Sequence, residues 1–66
     1  MFNMGNSSKE FLEKYFPKFF SYSDLDEALL ALDAFITREG LDENDDMTYF
    51  GHEAQSVYDD IFYSND

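Results

Sequence analysis

The sequence predicts an all-α fold, a small compact three-helix domain packed around a central helix at about residues 24–39. Three observations predict it. Apolar residues recur at helical spacing in three separate segments. The connections between those segments run two to eight residues, which favours antiparallel neighbours. The chain has 66 residues, room for one small domain.

The segments follow in order. Residues 1–7 form a polar stretch expected to be a flexible tail. Ser7 or Ser8 is placed to cap a first helix over about residues 8–16, with Phe11, Leu12, Tyr15, Phe16 and Phe19 on one face. Pro17 lacks a backbone donor and disfavours helical geometry at Phe16, so a kink or a second short turn is expected up to Phe20. Ser23 is the expected N-cap of the central helix, accepting from the amide of Asp26. Asp24, Asp26 and Glu27 place negative charge at the positive end of its dipole. Leu25, Ala28, Leu29, Leu32, Phe35 and Ile36 form its stripe, which Ala31 and Ala34 widen with small side chains. Leu30 falls on the opposite side. Gly40 is expected as a left-handed residue closing the helix, with Leu41 folding back on Ile36. After a loop over residues 40–47, Asp46 or Thr48 caps a third helix reaching about Phe62. Its inner face is Met47, Phe50, Ala54, Val57, Tyr58 and Ile61. Gly51 weakens this helix. Residues 8–63 are thus one domain, and 64–66 are expected to fray.

Composition narrows the function classes. There is no cysteine, so neither a disulfide nor a thiolate metal site is available. No apolar run approaches a membrane span. The N-terminal residues have no basic region and apolar core of a signal peptide, so a cytoplasmic protein without membrane contact is expected. Net charge is −11, with fifteen acids against four Lys or Arg. Aromatics make up 20% of the chain, which disordered acidic chains lack, so the chain should fold. Thirteen aromatics exceed what so small a core hides, and exposed ones favour interfaces, including a homodimer.

The charge is asymmetric. Residues 1–22 carry three Lys against two Glu, whereas residues 23–66 carry Arg38 against thirteen acids. This C-terminal half forgoes the i,i+4 ion pairs that stabilise helices and accepts self-repulsion. Direct binding of nucleic acid is therefore not expected, because a polyanion would be repelled.

Asp42, Asn44, Asp46 and Glu53 stand at positions 1, 3, 5 and 12 of a twelve-residue stretch that looks like an EF-hand calcium loop. It departs from that pattern at Met47, where the turn needs Gly, and at Tyr49. The alternative is an Asp-rich connection that caps a helix, with no metal bound. His52, Ser56 and Asp59 share one helix face, but an acyl-transfer triad needs elements that converge on a pocket with oxyanion donors. The pairs Asp45–Asp46 and Asp59–Asp60 diverge on a helix and lack the apolar setting that separates acid from base. No catalytic residue, metal or cofactor is therefore assigned, and a non-enzymatic protein is expected.

What stands out is an acidic face on the third helix and the loop before it. Asp42, Glu43, Asp45, Asp46, Tyr49, Glu53, Asp59, Asp60 and Tyr63 are its candidate partner-binding residues. Carboxylates one turn apart lie about 5–6 Å from each other, close to phosphate spacing along a nucleic-acid backbone. The expected partner is a basic protein, in the sharper version a nucleic-acid-binding protein or enzyme inhibited by mimicry, as by phage anti-defence proteins. An acidic immunity-type protein facing a basic toxin shares these features. The alternatives are the calcium-binding helix–loop–helix and a structural subunit assembling through exposed aromatics.

Overall fold

The computed structural model describes residues 2–65. The fold is all-α, with helices α1 (Asn6–Tyr15), α2 (Leu25–Glu39) and α3 (Tyr49–Ser64). A 3-10 helix, η1 (Pro17–Ser21), follows α1. Pro17 at its start supplies the expected break: the helical ladder stops at Phe16, whose φ of −146° leaves the α region.

The expectation of α2 as the central helix is corrected: α2 packs on α3 and η1, α1 packs on α3 and η1, and it is α3 that touches both other helices. Of the expected α2 stripe, Leu25 and Ala31 are half-buried and Ala34, expected to widen it, is exposed, whereas Ala28, Leu29, Leu32, Phe35 and Ile36 are buried. They meet Phe11 and Leu12 of α1, Phe19 of η1, and Ala54, Val57 and Ile61 of α3 in one core. Leu12, Phe19, Leu32 and Ile61 are fully enclosed, each contributing about 1.5–3 kcal/mol of burial. Leu30 points into solvent, as its place opposite the stripe predicts. The aromatics form a continuous contact path. Tyr15 and Phe11 lie 5.0 Å apart, Phe11 and Phe50 5.4 Å, Phe50 and Phe35 6.0 Å, and Phe35 stacks on Phe16 at 4.9 Å.

Four local expectations are corrected. First, α1 starts at Asn6 rather than near residue 8, with Gly5 as N-cap. The Gly5 amide and the Ser8 hydroxyl donate instead to Asp60 of α3, as described below. Second, the N-cap of α2 is Asp24, whose carboxylate accepts from the Asp26 amide at 2.9 Å. A carboxylate in that position adds charge–dipole attraction to the cap bond. Third, Gly40 is not left-handed; its φ and ψ are −99° and −2°. The left-handed residue is Asp45, with φ of 63°, a conformation that Asp tolerates better than most side chains.

Fourth, Gly51 is a packing device more than a weakness. Helices α2 and α3 cross where Gly40 and Gly51 touch. A Cβ on Gly40 would fall 2.7 Å from the Gly51 Cα, and one on Gly51 would overlap the Gly40 carbonyl. Thr48 locks the same corner. Its hydroxyl donates to Gly40 O at 3.0 Å and accepts from the Gly51 amide at 3.1 Å, and its own amide donates to Gly40 O at 2.8 Å. Between them, Leu41 and Met47 form an isolated antiparallel bridge that closes the loop.

Candidate functional site

The acidic surface is built on α3, and the corner at Gly40, Thr48 and Gly51 sets its direction. With Ala54, Val57 and Ile61 turned to the core, the opposite face is obliged to point outward. Tyr49, His52, Glu53, Ser56, Asp59, Phe62 and Tyr63 are all exposed. Tyr49 is 88% exposed and Tyr63 74%, so these rings are held almost entirely in solvent. Tyr49, His52, Glu53 and Ser56 line a shallow hollow. Glu53 also borders a second hollow toward α1, shared with Glu10, Lys14 and Tyr15. The fold thus brings one cation near the acidic face, Lys14, which sits 5.1 Å from the Tyr15 ring centre.

The loop acids Asp42, Glu43, Asp45 and Asp46 are exposed. Asp42 also shapes the loop: its Oδ1 accepts from the amides of Asn44 and Asp46 at 2.8 and 3.0 Å. Among the described residues, no group of three or more His, Asp or Glu gathers closely enough to hold a metal ion. The residues of the triad-like spacing do not form a relay. Ser56 Oγ donates to the backbone oxygen of His52, and Asp59 accepts from Gln55. Among the described residues, no helix is long and apolar enough to cross a membrane.

Asp60 stands apart from its neighbours. It is partly buried and turned toward the start of α1. Its Oδ2 accepts from the Gly5 amide at 2.8 Å and from Ser8 Oγ at 2.7 Å, while Oδ1 accepts weakly from Ser64 at 3.5 Å. A carboxylate at the N-terminus of α1 thus caps that helix from another element. The Gly5 amide, then the Ser8 hydroxyl, hold its pKa below the ordinary value of 3.8, against a smaller opposing effect of burial. Asn65 completes a clasp. Its amide donates to Asn3 O at 2.7 Å and Ile61 O at 2.8 Å, and its oxygen accepts from the Asn3 amide at 2.9 Å. Residues 3–5, expected to be a flexible tail, are thereby hydrogen-bonded to the end of α3. Ser64 belongs to α3 and Asn65 to this clasp, while Met1 and Asp66, also in the segments expected to be loose, lie outside the described residues.

Eight of the nine candidate residues are therefore exposed, on α3 or the loop before it, whereas Asp60 has a structural task. Sequence spacing could not assign that task, because the partners lie 52 and 55 positions away. Compared with known proteins, the chain matches no family model, no curated protein and no solved structure.

Proposed function

We propose that this is a non-enzymatic interaction protein whose α3 face and preceding loop bind a basic protein surface. One observation carries the reading. Residues 39–66 hold nine acids and no Lys or Arg, and exposed Tyr49 and Tyr63 interleave with exposed Glu53 and Asp59 on one helix. Charge of one sign supplies long-range attraction to a basic partner, and the tyrosines supply contact area at small entropic cost. In its sharper form the partner is a nucleic-acid-binding protein whose groove this face enters in place of phosphates.

The test is affinity capture from the native host followed by titration of the captured basic protein at two salt concentrations. Replacing Glu53 by Gln and Asp59 by Asn together should slow association and flatten the salt dependence. Asp60 is left intact in that variant because it holds α1. Unchanged binding at both salts would place the recognition surface elsewhere.

A further inference from the structure

Two of the chain's four cations line one hollow between η1 and α2, which shares no lining residue with the hollows that Glu53 borders. Lys18 reaches it from η1 and Arg38 from the last turn of α2. The Phe16 ring, stacked on Phe35 with an interplanar angle of 21°, forms a flat aromatic wall. Ala31 and Ala34 leave the α2 side shallow, since neither fills the space above the helix. No carboxylate lines the hollow, although acids outnumber bases fifteen to four in the whole chain.

We infer that this hollow binds a small amphipathic monoanion, a flat aromatic body carrying one carboxylate. The guanidinium of Arg38 presents paired N–H donors that match a carboxylate, and Lys18 adds a second positive charge. The aromatic wall and the two alanines accept an apolar ring by offset stacking and burial. The net charge of −11 limits the ligand's size. A polyphosphate, nucleic acid or acidic protein would reach past the two cations into the field of the surrounding acids. A ligand with one compact anionic group stays beside Lys18 and Arg38. This site is independent of the acidic face.

The experiment titrates the full chain with 2-naphthylacetate and, separately, with its uncharged amide, following backbone and methyl resonances. The carboxylate should shift Lys18, Tyr22, Ala31, Ala34 and Arg38 together. It should bind about two- to five-fold more tightly than the amide, the range expected for exposed ion pairs. Both cations are exposed, so replacing Lys18 and Arg38 by Gln leaves the fold intact, with circular dichroism as control, and should abolish the preference. Ala34→Leu should weaken both ligands by filling the hollow. Equal binding of acid and amide to the wild type overturns the proposal. So does a shift pattern centred elsewhere, or a preference that survives the double Gln variant.

Discussion

Removing the Asp60 carboxylate should destabilise the domain more than removing any other acid of α3. Asp60→Ala deletes the acceptor for the Gly5 amide and for Ser8 Oγ. Ser8 is buried at 6% exposure, so its hydroxyl loses a partner away from water. Loss of a helix cap costs about 1 kcal/mol, and a buried hydroxyl left unsatisfied costs about 1–3 kcal/mol. Because Asp60 is partly exposed and water can replace part of the lost bonding, the lower end of that sum applies, about 2 kcal/mol. At about 4–8 °C per kcal/mol for a domain of this size, Tm should fall by about 8–16 °C. Asp59→Ala is the matched control, one residue away and exposed, and should leave Tm unchanged or slightly raised. The pH dependence follows from the sign of the shift. A carboxyl held below its ordinary value of 3.8 in the folded state stabilises above that value. The contribution is lost as pH falls through the lowered pKa. The Tm gap between wild type and Asp60→Asn should therefore be constant above about pH 5 and close progressively in stronger acid. Equal Tm for wild type and Asp60→Ala, or equal losses at 59 and 60, would refute the capping role.

Gly51→Ala adds a good helix former, worth about 1 kcal/mol in an open helix. It should nonetheless destabilise the fold by about 1–3 kcal/mol, because the new Cβ meets the Gly40 backbone and cannot be relieved by a side-chain rotation. Urea unfolding measures it, and a more stable variant would show the α2–α3 contact to be looser than described. Tm should rise as monovalent salt increases from near zero to about 0.15 M, where the Debye length is ~8 Å and repulsion among the nine acids of residues 39–66 is screened. A flat or falling curve in differential scanning calorimetry would remove the view that charge opposes compactness here.

Sequence periodicity by itself determined the three helices, the inward stripe of α2, the break at Pro17 and the outward position of Leu30. These follow from interactions within one or two helical turns and from the need to hide apolar side chains, both written locally in the chain. It also determined that residues 39–66 present one sign of charge, since that requires only counting. The tertiary structure decided what depends on distant partners. The need for glycine at position 40 comes from contact with Gly51, eleven residues on, which leaves no room for a Cβ at either position whatever the backbone angles. Asp60 looks like any other surface acid in sequence, yet the end of α3 lies beside the start of α1, so its carboxylate serves as a cap. The hollow under Lys18 and Arg38 arises because a break at Pro17 turns η1 onto α2, bringing together two cations twenty residues apart. Local spacing fixes which face of a helix is apolar, but only packing fixes which polar groups meet across the gap.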